Sequence, residues 1–219
     1  MSNLVRFGHG YSARALVPLL NGWRVVGTSR SVGKRDQDGV EGVVWPGTDM
    51  AAYLDGCTHL LISAGPDGEG DPVLRELRRE IAKREFEWVG YLSTTGVYGD
   101  HQGGWVDEGT ALTPSTRRGQ WRVAAEAEWQ AMGLPLHIFR LAGIYGPGRG
   151  PFAKVRAGTA RRIIKPGQVF SRIHVEDIAQ VLAASIAQPN PGAVYNLCDD
   201  EAAPPEDVIA AFQDVISAE

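Results

Sequence analysis

The chain has little of the features that mark a specialised protein class. Only two cysteines, Cys57 and Cys198, occur in 219 residues. They are far apart and lack metal-ligand spacing, which excludes a disulfide framework or a cysteine-built metal site and sets the expectation of a reducing, cytoplasmic location. Basic charge is not in excess: 22 Lys and Arg stand against 26 Asp and Glu, for a net charge of −4. That excludes attachment to nucleic acid or to an anionic membrane by bulk charge. No apolar run is long enough to span a bilayer, and the first residues lack the charged and apolar regions of a signal peptide. Repeats and low-complexity blocks are missing too. The length fits one domain with a small appendage.

What is present is concentrated at the start. Leu4 to Phe7 is a short, mostly apolar run, followed by Gly8-His9-Gly10-Tyr11-Ser12-Ala13. This is a G-x-G-x-x-[GA] turn of the kind that binds a dinucleotide between a strand and a helix. Gly8 permits the tight turn, Gly10 lets backbone approach a pyrophosphate, and Ala13 lets the helix pack close to the strand. The helix is predicted from Tyr11 through Leu20 and is closed by Asn21-Gly22; its N-terminal N–H groups and dipole favour an anion. A second strand is predicted over Trp23 to Thr28. At its end an NAD site carries an acid for the ribose 2′-hydroxyl, about 20 residues after the first glycine. Here the residues are Thr28-Ser29-Arg30. An uncharged Ser29 followed by Arg30 suits a 2′-phosphate, so the expected cofactor is NADP, with NAD the lesser alternative.

The rest alternates in period. A polar loop is expected over Ser31 to Gly42, a strand over Val43 to Trp45, and a short helix capped by Thr48. A buried strand is expected from Thr58 to Ala64, ending in Ser63-Ala64-Gly65-Pro66, whose small residues leave room for a flat adenine or ribose. A helix opened by Asp71-Pro72 and a strand from Glu87 to Ser93 come next. This order predicts a Rossmann-like α/β fold, a doubly wound parallel sheet with the ligand crevice at the strands' C-terminal edge. Further on, a helix over Gln120 to Met132 and a strand over Leu136 to Leu141 are expected. Phe152 to Ala157 reads as a short helix, and Arg161 to Ile164 and Val169 to Ile173 as two short strands. A helix over Glu176 to Ala187, a strand over Ala193 to Leu197 and a closing helix over Pro204 to Ser217 complete the chain. Residues 143–175 and 193–219 are expected to form a small cap on this single domain.

From Tyr91 onward the chain resembles the extended short-chain dehydrogenase/reductase superfamily, the NAD(P)-dependent epimerases and dehydratases. The resemblance rests on Leu92-Ser93-Thr94-Thr95-Gly96-Val97-Tyr98-Gly99-Asp100, on Val106-Asp107-Glu108 leading to Pro114, on Arg140 to Gly148, and on Ile173-His174-Val175-Glu176-Asp177-Ile178-Ala179. Tyr195-Asn196-Leu197-Cys198-Asp199-Asp200 is similar to a fifth family segment. The resemblance implies a Ser/Thr, Tyr, Lys trio. Thr94 falls on the Ser/Thr position, but Arg118 stands in place of the tyrosine and Arg122 in place of the lysine. Arg122 could still hold ribose hydroxyls. Arg118 cannot serve as acid/base, because a guanidinium with a pKa above about 12 stays protonated. The chain is therefore similar to the atypical members of the superfamily.

Thr94, Arg118 and Arg122 are the candidate catalytic residues. Gly8, His9, Gly10, Tyr11, Ser12, Ala13, Ser29, Arg30, Ser63, Ala64, Gly65 and Arg122 are the candidate cofactor residues, and no metal site is expected. Arg117, Arg118 and Arg122 repel one another unless an anion sits among them, which points to an anionic small-molecule substrate. The alternative is a solvated face paired with acids such as Glu126. Tyr98, Tyr145 and His174 are weighed as stand-ins for the missing acid. Two functions stay open: an NADP-preferring oxidoreductase or epimerase-like enzyme, and a catalytically silent NADP-binding regulator. A homodimer is expected from the superfamily's habit.

Overall fold

The structure, a computed structural model, describes residues 2–31, 39–161, 164 and 167–217 of the chain. The expected loop at Ser31 to Gly42 falls largely outside these residues, and so do positions 162 and 163 of the strand expected over Arg161 to Ile164.

Seven parallel strands form the sheet: β1 (Asn3–Phe7), β2 (Arg24–Ser29), β3 (Glu41–Val44), β4 (His59–Ile62), β5 (Trp88–Thr94), β6 (Leu136–Leu141) and β9 (Val194–Leu197). Their spatial order is β3-β2-β1-β4-β5-β6-β9. The chain winds outward from β1 in one direction, then returns and winds outward from β4 in the other. The reversal between β1 and β4 opens a crevice at their C-terminal ends. A second, two-stranded parallel sheet joins β7 (Gly143–Tyr145) to β8 (Arg172–His174).

Both faces of the large sheet are covered, so its central strands are buried at nearly every position. On one face Val5, Phe7, Val89, Tyr91 and Ile138 pack against α2 (Ala51–Leu54), α3 (Pro72–Ile81) and α4 (Arg117–Gln130). On the other, Leu4, Trp88 and Phe139 pack against α1 (Tyr11–Ala15) and α6 (Val175–Ala187). The period-2 alternation of each strand sorts its residues between these two cores. Beyond β6, α5 (Pro151–Arg156) packs on α7 (Pro205–Ser217). The strand expected over 193–197 lies in the main sheet, paired with β6. Among the described residues no helix is long and apolar enough to cross a membrane.

Local chemistry shifted several elements. α1 is five residues, not the longer helix expected, and gives way to a 3₁₀ turn at Val17–Leu19. Pro18 has no N–H and its ring would clash with the carbonyl of Arg14, so the α-helix stops before it. Thr48 does not cap α2; the Asp49 carboxylate accepts the Ala51 N–H at 2.9 Å. The strand expected over Val169 to Ile173 forms at Arg172–His174, with only an isolated bridge between Phe170 and Ala203. Asp71 caps α3 as its sequence suggests, its Oδ1 accepting from Val73 N and Leu74 N.

Candidate functional site

The glycine turn sits at the C-terminal end of β1, in the crevice. Gly8 has φ +96°, a region that favours glycine. A Cβ there would lie 2.8 Å from Ser63 Oγ and 3.0 Å from Ala64 N. Ser63 Oγ donates to Gly8 O at 2.7 Å, and Ala64 N to Phe7 O at 2.9 Å, so the ends of β1 and β4 are clasped together. The next glycine is the opposite case: nothing lies within 4 Å of where a Gly10 Cβ would stand. That side of the turn is open to a ligand.

The turn's N–H groups divide in two. Gly8 N donates to Thr28 Oγ1 at 3.0 Å and His9 N to Thr28 O at 2.7 Å, both within the fold. Those of Gly10, Tyr11 and Ser12 open α1 and have no acceptor among the described residues. With a helix this short, these individual N–H groups rather than a long dipole favour an anion.

A buried cation lies under the turn. Arg6 is fully buried in β1; its guanidinium donates to Ala13 O and lies 2.5 Å from His9 Nδ1. His9, a candidate cofactor residue, turns its ring inward to meet Arg6 and Gly27. It braces the turn from inside. Ser12 and Ala13 are likewise buried against the sheet. Arg6 was not among the candidates, although a charge amid Leu4, Val5 and Phe7 is the signal that marks it. Ser29 Oγ donates to Ser31 O at 2.8 Å, and Arg30 is exposed just past the end of β2.

Across the crevice lie Gly65, Thr94 and Arg122. Arg122 is partly buried. Its Nη1 donates to Leu92 O at 2.7 Å and Tyr91 Oη at 3.2 Å, and its guanidinium stands 5.6 Å from the Tyr91 ring centre. Its Nη2 lies 3.1 Å from where a Gly65 Cβ would be, so only glycine fits without displacing it. Arg118 is exposed one helical turn earlier on the same face of α4. No carboxylate pairs with Arg117, Arg118 or Arg122 among the described residues, and the first turn of α4 contains no acid. Thr94 Oγ1 accepts from Gly96 N at 3.2 Å, which leaves its O–H to donate elsewhere. The first turn of α4 meets this segment closely, since a Cβ on Gly119 would lie 2.8 Å from Gly96 O.

Glu126 does not balance these arginines. It turns inward to Arg140, whose Nη2 reaches Glu126 Oε2 at 2.8 Å and whose Nε reaches Oε1 at 3.3 Å. Ser93 Oγ also donates to Glu126. Arg140 Nη1 donates to Tyr98 Oη at 2.8 Å, and Tyr98 Oη donates to Asn196 Oδ1 at 2.7 Å. Tyr98 is thereby committed on both sides and buried. Tyr91 is also buried, and burial pushes its phenol well above the usual range. His174 caps α6 through Nδ1, accepting Glu176 N at 3.4 Å, and packs edge-on against Tyr145. Tyr145 is the half-buried phenol beside the crevice, raised first by burial and then by Asp199. It borders a cavity of about 650 Å³ that Phe152, Arg149 and Arg156 also line.

A clasped glycine turn at the switch point of a parallel sheet, with free N–H groups above a buried cation, defines a Rossmann-type site suited to an anionic ligand. No protein-family model matches the chain. The structure is similar to UDP-glucuronic acid 4-epimerase from Bacillus cereus in complex with NAD, with a TM-score of 0.85 at 18% identity over 98% of this chain and 84% of that one. It is similar too to a functionally unknown conserved protein from Silicibacter pomeroyi DSS, with a TM-score of 0.94 at 61% identity over 99% of this chain and 79% of that one. At 18% identity the first likeness shows the fold alone, a Rossmann-like α/β fold shared with that NAD-bound epimerase. The protein YeeZ of Escherichia coli strain K12 is 30% identical over 90% of this chain and 78% of its own length, and the chain belongs to the same family as YeeZ.

Proposed function

We propose that the protein binds a nicotinamide dinucleotide, preferring NADP, and acts as an oxidoreductase or epimerase-like enzyme whose proton carrier is not the superfamily's tyrosine. The observation that carries this reading is the turn itself: Gly10 open on its outer side, the N–H groups of Gly10, Tyr11 and Ser12 unclaimed by the chain, and Arg6 buried beneath. These groups suit the diphosphate. Ser63 to Gly65 would border the adenosine side, Arg122 would hold ribose hydroxyls, and Arg30 would meet the 2′-phosphate. When bound, the nicotinamide would supply hydride transfer. Thr94 would donate to the substrate oxygen, and Arg118, permanently charged, would fix an anionic group of a small-molecule substrate. Proton transfer is left to Tyr145, a half-buried phenol beside the crevice, or to water.

A second reading is a catalytically silent NADP-binding regulator. The commitment of Tyr98 to Arg140 and Asn196 favours it, since this tyrosine closes the 3₁₀ turn that Thr94 opens and is not free to cycle a proton. The cofactor claim is tested first by exchanging Ser29→Asp and Arg30→Ala together. The ratio of NADPH to NADH affinity should fall by about tenfold or more, because a charge-assisted bond to phosphate is replaced by an acid suited to the free 2′-hydroxyl. An unchanged ratio would refute the 2′-phosphate assignment.

A further inference from the structure

The glycine turn has a roof. The strap Gly146-Pro147-Gly148-Arg149-Gly150 runs from β7 to α5, and its three glycines have φ values of +145°, +70° and +104°. Gly146 and Arg149 close it with a reciprocal pair of backbone bonds at 3.1 and 2.9 Å. Tyr11, the first residue of α1, ties the strap to the turn: its hydroxyl donates to Pro147 O at 3.0 Å. The fit is tight. A Cβ on Gly146 would come 2.7 Å from Tyr11 Oη and 2.8 Å from Val175 Cγ1.

This seat places Arg149 over Tyr11, with its guanidinium carbon 5.3 Å from the ring centre. Stacking uses the flat face of a guanidinium and leaves its in-plane N–H donors available. No carboxylate reaches Arg149 within 4.0 Å among the described residues, whereas Arg24, Arg75, Arg78, Arg84 and Arg140 each have one. Glu176 acts on Tyr11 through space, and its carboxylate lies 4.0 Å from His174 Nδ1. A cation without an acidic partner among the described residues therefore stands over the side chain of Tyr11, whose own backbone N–H is one of the three unclaimed groups.

We propose that Arg149 is a clamp on the diphosphate of the bound dinucleotide, closing from the strap onto the group that the glycine turn holds from the other side. The inference rests on the reading that the turn binds NAD(P). It differs from the role given to Arg30 in a measurable way. The diphosphate is common to NADPH, NADH and ADP-ribose, so the clamp serves all three, while Arg30 distinguishes only NADPH.

The experiment is calorimetric titration of the full chain and of Arg149→Ala with NADPH, NADH and ADP-ribose. Loss of a charge-assisted bond predicts Kd values about 10- to 100-fold higher, by the same factor for all three ligands. Arg149→Gln, which keeps the length of the side chain, should show the same loss, and Arg149→Lys should recover part of it; this pair carries the test if the alanine variant folds poorly. Unchanged affinities, or a loss confined to NADPH, would overturn the clamp while leaving the turn as the binding site. If the unaltered chain binds none of the three, the nucleotide reading fails and the clamp fails with it.

Discussion

Glu126 and Arg140 show how one residue's surroundings decide its role. Their side chains are 2% and 5% exposed, and the pair shares two contacts. Removing one partner from such a pair strands the other charge in the interior. Glu126→Ala is therefore expected to lower unfolding stability by about 3–5 kcal/mol, measured by denaturant titration. Replacing both by methionine should cost less than the single change, because no bare charge remains. A double variant as unstable as Glu126→Ala would show that shape rather than charge dominates here. In the sequence Glu126 reads as a partner for the α4 arginines, only four residues from Arg122. Its true partner comes from β6, fourteen positions later, and helix spacing carries no information about that contact. Arg6 is a related case: a charge inside an apolar strand was visible, but the turn it supports is a tertiary arrangement.

At the scale of elements, β4, β5 and β6 are laced by rings on the α6 face. Trp88 stacks on His137 at 5.7 Å and lies 6.4 Å from His59. Gly90 keeps its place in β5 because the Trp88 indole lies over it; a Cβ there would fall 2.1 Å from that ring. His137 Nδ1 donates to Val89 O at 3.3 Å, and its Nε2 accepts Asn190 N at 2.8 Å, a pattern that requires the neutral ring. Burial lowers the pKa of both histidines, opposed at His59 by Glu87. Native protein thus binds fewer protons than unfolded protein once the pH falls below the unfolded value of about 6.5. The stabilisation is fully present above that value and is lost as the pH falls through it toward the depressed native values. The melting temperature is expected to be lower at pH 5.5 than at pH 7.5, and the gap should narrow in His59→Gln with His137→Gln. An equal gap in the double variant would place the acid sensitivity elsewhere.

The alternation of strands and helices was legible because parallel strands buried on both faces keep their apolar runs wherever they sit in the sheet. Element ends were less so. α1 stops at Ala15 under the influence of Pro18, and the first N–H of α2 is taken by Asp49 rather than by Thr48; both depend on backbone geometry that several nearby residues could have served equally well. The strap over Tyr11 left almost no trace beyond its glycines, since its partner lies more than a hundred residues away.

For the molecule as a whole, two strand ends, a glycine turn, a strap and the first turns of α4 converge on one crevice, while acids are directed elsewhere: Glu126 to Arg140, Glu128 to Arg78, Asp55 to Arg84. In a chain with a net charge of −4, Arg122 reaches across to Gly65 and Arg149 stacks over Tyr11 of the turn, neither with a carboxylate within 4.0 Å among the described residues. That distribution favours a ligand with several negative charges. It also explains why bulk composition revealed nothing about the partner: the charge that matters is local. Fold and glycine turn were readable from the first thirty residues, whereas Arg118 and Arg122, read in the sequence as standing at the Tyr and Lys positions, sit on a helix whose fold is ordinary.

The measurement that bears most directly on this account is calorimetric titration of ligand-free protein with NADPH and NADH in parallel. The account predicts micromolar binding of NADPH and markedly weaker binding of NADH. Binding of neither would contradict it, and the turn from Gly8 to Ala13 would then be a structural joint between β1 and α1 with no nucleotide to hold.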